Sequence, residues 1–141
     1  TTSLFIFCNP HNPIGKVWDR PMLERIAELC IKHDVLVVSD EIHCDLTHIG
    51  HAYIPFASLS QEIADRTISC IAPTKTFNIA GLQTAAIVIS NPEIRKQVDR
   101  GINTDEVAEP NTFAIQAAEA AFDEGEEWLK QPIWLGSIAR R

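Results

Sequence analysis

The sequence predicts an α/β fold, with helices layered on a mostly parallel sheet. Three observations carry this. Leu4–Cys8, Val35–Val38 and Thr67–Ala72 are short apolar runs without polar alternation, as in strands covered on both faces. A helical apolar stripe separates the first two, giving the strand–helix–strand order of a layered sheet. Each run then closes on polar or turn-forming residues, at the carboxyl ends of strands where ligands bind in such folds.

The elements follow in order. Leu4–Cys8 runs into Asn9-Pro10-His11-Asn12-Pro13-Ile14-Gly15, which is dense in turn residues. Asp19 is placed to cap a helix with Pro21 in its first turn, and Leu23, Ile26, Ala27 and Cys30 recur on one face over roughly 20–33. The run at 35–38 ends in Ser39-Asp40-Glu41, and Thr67–Ala72 closes on Pro73-Thr74-Lys75. A fourth strand is expected at 84–90. Only about ten residues precede it, too few for a parallel crossover, so it is expected to run antiparallel. Helices are predicted over 92–100 and 111–122, the latter with Phe113, Ala114, Ala117, Ala118 and Ala121 toward a core.

The 141 residues make one ordinary domain, and 45% apolar content supplies a core. The formal charge is −7, spread over both halves without a basic stripe, which argues against nucleic-acid or anionic-membrane partners. No apolar run approaches the ~20 residues of a membrane span, and the start lacks a basic-then-apolar leader. Cys8, Cys30, Cys44 and Cys70 form no C-x-x-C pair, so free thiols in a reducing cytoplasm are expected. The first strand follows almost at once on the first residue, which reads as a piece of something longer.

Three reactive groups fall at the carboxyl edge: Asn12, Asp40 and Lys75. An aspartate ending an apolar strand is costly to bury unless a cation or donor meets it. A lysine taken partly out of water is a usable amine nucleophile. Lysine as Schiff-base former with a carboxylate for a pyridinium nitrogen is the protein's share of pyridoxal-phosphate chemistry. From spacing alone the plainer alternative stays open: a turn-capping Asp40, a solvated Lys75 and a turn-forming Asn12. His43, Cys44, Asp45, His48 and His51 have no standard metal-ligand spacing and read as a histidine-rich loop, with no metal expected. The acidic run Asp123-Glu124-Glu126-Glu127 reads as a solvated helix end, and Trp18 and Phe77 as packing residues.

The strings CNPHNPIGKVW (8–18), SDEIHCDL (39–46) and APTKTFNIAGLQ (72–83) resemble the fold-type I pyridoxal-phosphate enzymes of the class I/II aminotransferase superfamily. Within it they are most similar to the MalY/PatB-type cystathionine β-lyase (C–S lyase) group. The resemblance runs from about Ser3 to Leu129. It implies a three-layer sandwich, the central part of the large domain, with pyridoxal 5′-phosphate as cofactor. It also implies that 1–129 is a partial cofactor-binding domain. Residues 130–141, where Pro132 would break the family's long helix, form a divergent or foreign tail.

By the same resemblance, Lys75 holds the cofactor covalently, and Asp40 keeps the pyridine nitrogen protonated. Asn12 meets the phenolic oxygen, with the following Pro13 peptide cis, and Thr74 binds the phosphate. Two positions depart from the aminotransferase pattern: His43 stands where tyrosine is usual, and Gln83 where a phosphate-binding arginine is usual. Both resemble the C–S lyases. His43 then either bonds near the cofactor oxygen or is an ordinary loop histidine.

The implied activity, in the full-length parent, is β-elimination on L-cysteine thioethers such as cystathionine, giving thiol, pyruvate and ammonia, in a homodimer acting on an amino-acid substrate; the isolated 141-residue chain is expected to be inactive. The alternatives are an aminotransferase and a fragment without turnover.

Overall fold

The computed structural model describes residues 2–48 and 50–130. A four-stranded sheet in the order β1-β2-β3-β4 organises them. The strands are β1 (Leu4–Cys8), β2 (Leu36–Asp40), β3 (Thr67–Ile71) and β4 (Ala86–Ile89). β1, β2 and β3 are parallel neighbours, and β4 returns antiparallel to β3, as the short connection requires.

Helix α1 (Arg20–Lys32) links β1 to β2. Asp19 caps it by accepting the Met22 amide, and Pro21 occupies its first turn, where a missing N–H costs nothing. Between β2 and β3 come a 3₁₀ turn at Phe56–Ser58 and the short helix α2 (Gln61–Ala64), capped by Ser60. Both crossovers run in the same direction across the sheet, and α1 and α2 share one core on one of its faces. There Leu23, Ala27 and Cys30 of α1 meet Phe7, Val35, Val37, Phe56 and Ile63 in the core. Phe7 anchors it, with ring centroids 5.4 Å from Phe56 and 5.9 Å from Trp18. Burying each such side chain contributes about 1.5–3 kcal/mol.

The opposite face carries the other set of alternating strand residues and is largely bare among the described residues. Leu4, Ile6, Leu36 and Ile87 are exposed, Ile6 to 70%. Among the described residues, β1 and β2 are thus covered on the α1 face, and on the opposite face Ile89 of β4 is buried.

Beyond β3 come the single-turn helix α3 (Pro73–Thr76), a 3₁₀ turn (Ala80–Leu82), α4 (Pro92–Thr104) and α5 (Ala114–Glu124). α4 runs four residues past the predicted end, to a left-handed Glu106. α5 starts three residues late because the Asn111 side chain accepts the Phe113 amide in a local turn. Phe113 consequently lies 74% exposed, against expectation, while Ala114 is buried. The acidic run at the end of α5 is solvated, and Lys130 pairs with Glu126 and Glu127 at 3.0 Å. Residues 131–141 of the expected tail lie outside the described residues. No described helix is long and apolar enough to cross a membrane.

α5 docks on α3 through Phe77, whose ring lies 6.2 Å from Phe122 and 5.9 Å from Trp128. Gly125 closes the contact: an added Cβ would collide with the Phe77 ring and the Ala121 carbonyl. Gly125→Ala is expected to overpack this joint and cost about 1–3 kcal/mol, read as a lower denaturation midpoint.

Candidate active site

The predicted residues gather at the carboxyl edge of β1, β2 and β3. Asp40 is the last residue of β2, in register with Cys8 and Cys70 on its two neighbours. Strand alternation puts its side chain on the face away from α1. It is half-buried there: Oδ1 accepts the Ile42 amide at 3.2 Å, and among the described residues Oδ2 has only the Cys8 thiol, at 3.9 Å. A carboxylate oxygen so weakly satisfied has acceptor capacity to spare. Burial, and then the charge of Asp40, push the Cys70 thiol up.

Asn12 follows β1 in a loop closed by the His11–Lys16 backbone bridge, with Gly15 supplying the positive φ that the turn needs. The Asn12–Pro13 peptide is cis, as the resemblance implies, and so is Asn9–Pro10. Asn9 is fully buried and holds the loop down, accepting the Trp18 amide at 3.2 Å and donating to the Ile54 carbonyl at 3.4 Å. Asn12 and His43 line one cavity of about 530 Å³ together with Pro10, Lys16 and His48. Asp40, Thr74 and Lys75 do not line it. A more apolar cavity of about 500 Å³, lined by Phe5, Ile26 and Leu29 among others, holds none of the predicted residues.

Thr74 and Lys75 lie in α3, immediately after β3. Thr74 is buried and Lys75 exposed. Among the described residues the Lys75 ammonium has no ion-pair partner and the Thr74 hydroxyl no hydrogen bond. Gln83, exposed, takes a left-handed conformation after the Ala80–Leu82 turn.

Sequence reasoning missed the support beneath the site. Glu41, 4% exposed, accepts from Ser39 Oγ at 2.8 Å, the Phe56 amide at 3.3 Å and Ser69 Oγ at 3.5 Å. Three donors on one oxygen offset the cost of burying the carboxylate and tie β2 and β3 to the core-side loop. A glutamate directly after an apolar strand, with one serine on that strand and another on the next, was the available signal. Among the described residues the buried Tyr53 hydroxyl has no partner in hydrogen-bonding geometry, although Glu41 is near enough to raise its pKa beyond what burial does.

All four cysteines are free. The Cys44 thiol is pushed up to about 12, by burial first and then by Asp45. An unfolded thiol titrates near 9.0, so the folded state holds this proton after the unfolded chain has lost it. The group's contribution to stability is complete below pH 9 and lost as pH rises toward 12, and Tyr53 acts in the same direction. The denaturation midpoint is therefore expected to fall between about pH 8 and about pH 11, and less so in Cys44→Ser.

Comparison with known proteins fits this edge. The sequence profile for aminotransferase class I and II matches residues 1–132. The chain belongs to that family. It is 48% identical over 133 residues to the cystathionine β-lyase PatB of Bacillus subtilis, covering 94% of this chain and 34% of that protein. The crystal structure of cystalysin from Treponema denticola, which contains pyridoxal 5′-phosphate, superimposes with a TM-score of 0.90 at 37% identity, over 93% of this chain and 33% of that one. The PLP-bound C–S lyase of Staphylococcus hominis gives 0.82 at 38% identity, over 92% and 31%. This aminotransferase-family chain thus spans about a third of the length of the relatives it matches. Its mostly parallel α/β architecture is theirs over that span.

Proposed function

We propose that this chain carries the cofactor side of a pyridoxal-phosphate lyase that eliminates thiols from L-cysteine thioethers such as cystathionine. The observation that supports it most is the joint placement of Asn12, Asp40, Thr74 and Lys75 at one sheet edge, in a chain 48% identical to a cystathionine β-lyase. Residues 1–129 act as a partial cofactor-binding domain.

The residues present fit the group. Asp40 offers an underused carboxylate oxygen, Lys75 an exposed amine without a partner, and Thr74 a hydroxyl without one, among the described residues. When bound, pyridoxal phosphate supplies a carbonyl for the substrate amine and a ring that accepts electrons from Cα. Lys75 Nζ would hold the cofactor covalently and, when its amine is free, would take the proton from the substrate Cα. Asp40 holds a proton on the ring nitrogen, which keeps the ring an acceptor. Asn12 donates to the phenolic oxygen, with His43 beside it on the shared cavity, and the Thr74 hydroxyl donates to the phosphate. The net reaction would take a cysteine thioether and water to thiol, pyruvate and ammonia.

Family membership also supports a second reading, an aminotransferase in which Lys75 carries the proton from Cα back to the cofactor. His43 and Gln83, both departing from the usual aminotransferase residues, favour elimination. Cystathionine supplied with and without a keto-acid acceptor separates the two. Elimination is expected to release pyruvate and free thiol at the same rate in both, whereas product that appears only with the acceptor would replace lyase by transaminase. A cofactor-binding chain that forms neither product would instead be the fragment without turnover. The four free thiols support a reducing cytoplasm. A homodimer is the assembly that accompanies this reading.

A further inference from the structure

Helix α3 is one turn of four residues, with no side-chain cap at its start. A turn that short has no stability of its own, so what it touches sets its position. Burial alternates along it: Thr74 and Thr76 are buried, Thr76 to 1% exposure, and Lys75 between them faces out. Lys75 therefore points wherever its neighbours are pinned. On one side the pin is Phe77, packed on Phe122 and Trp128. On the other, Thr76 Oγ1 donates to Asp45 Oδ2 at 3.0 Å. Among the described residues this is the only side-chain hydrogen bond joining Pro73–Phe77 to the rest of the chain. Asp45 belongs to the loop after β2 that also carries His43.

We propose that the Asp45–Thr76 hydrogen bond positions Lys75, locking the lysine turn after β3 to the loop that follows Asp40. The inference rests on the cofactor-attaching role of Lys75 given above. A hydroxyl this buried cannot turn to water if its acceptor is removed, so the turn must reorient to satisfy it or bear the cost of leaving it unpaired. Lys75 is the residue next to the bond, with its amine at the end of a four-carbon stem. A small rotation of the turn is therefore magnified at Nζ, and a misplacement of about 1 Å can cost about a hundredfold in rate. Asp45 and Thr76 are positioning residues: they act on the reaction through Lys75.

The test reads the link directly, without turnover. The full-length protein that carries this sequence, and its variants, are stripped of cofactor, incubated with pyridoxal phosphate, reduced with borohydride at timed intervals, and mapped for label on Lys75, with thermal melts in parallel. Thr76→Val and Asp45→Ala are expected to slow labelling by roughly tenfold to a hundredfold. Thr76→Ser and Asp45→Asn keep a donor and an acceptor, and are expected to label within about twofold of wild type. The double variant Asp45→Ala/Thr76→Val should be no slower than the slower single variant, because the two changes break one interaction. No label on wild-type Lys75 would remove the cofactor reading itself. Wild-type labelling matched by Thr76→Val and Asp45→Ala would overturn the positioning role alone. Loss of folding in both variants would overturn it too, since the bond would then support the fold at large.

Discussion

Lys75→Ala is expected to lower thiol elimination by roughly 10³–10⁴-fold in the protein that carries this sequence, with folding nearly unchanged. The two halves of this expectation come from different observations. Lys75 is exposed, and among the described residues its ammonium pairs with nothing, so truncating it removes no internal contact. A surface substitution of that kind shifts stability by no more than about 0.5 kcal/mol. On the proposed function, the same change would remove both the attachment point of the cofactor and the group that moves the Cα proton. Pyruvate release and a thermal melt on the same preparation check the split. Borohydride reduction with peptide mapping checks the residue: label on Lys16 or Lys96 in place of Lys75 would overturn the assignment.

Asp40→Ala is the second large effect, an expected loss of roughly 10²–10³-fold in elimination. Asp40 Oδ1 caps the turn at Ile42, a bond whose removal costs about 1 kcal/mol, so a modest drop in stability accompanies the loss. Oδ2 has no strong partner among the described residues, and this spare acceptor capacity is what would let Asp40 hold a proton on the ring nitrogen. The contrast with Glu41, one residue on, sharpens the test. Glu41 already receives three donors, so its replacement should damage folding first. Stability-limited loss at Glu41 and chemistry-limited loss at Asp40 would separate the two neighbouring carboxylates. Near-normal elimination by folded Asp40→Ala would end the electron-acceptor role.

Much of this architecture was legible because its causes are local. A run of five apolar residues, Leu4–Cys8, is a strand of the same bounds in the structure. Asp19 and Pro21 announce the start of α1, and the structure begins that helix at Arg20. The short stretch before β4 implied an antiparallel return because ten residues cannot make a parallel crossover, and β4 pairs with β3 in that sense. Asn12, Asp40, Thr74 and Lys75 reach one edge for the same reason: each follows or ends a parallel strand, and parallel strands present their carboxyl ends together.

Tertiary structure alone decided what depends on contacts between distant segments. Which face of β1 and β2 receives α1 could not be read from those strands, because an apolar strand looks the same from either side. Phe113 lies outside α5 because a single Asn111 side chain competes with the first helical turn. Thr76 finds its acceptor 31 residues away on the loop after β2, and the Glu41 carboxylate gathers donors from Ser39, Phe56 and Ser69. The sequence by itself determined which residue types stand at the sheet edge, since periodicity and turn chemistry act over a few residues. The tertiary structure decided which of them are buried, which are tethered and which are left facing out, since burial and hydrogen-bond partnership exist only once the chain has brought its strands side by side.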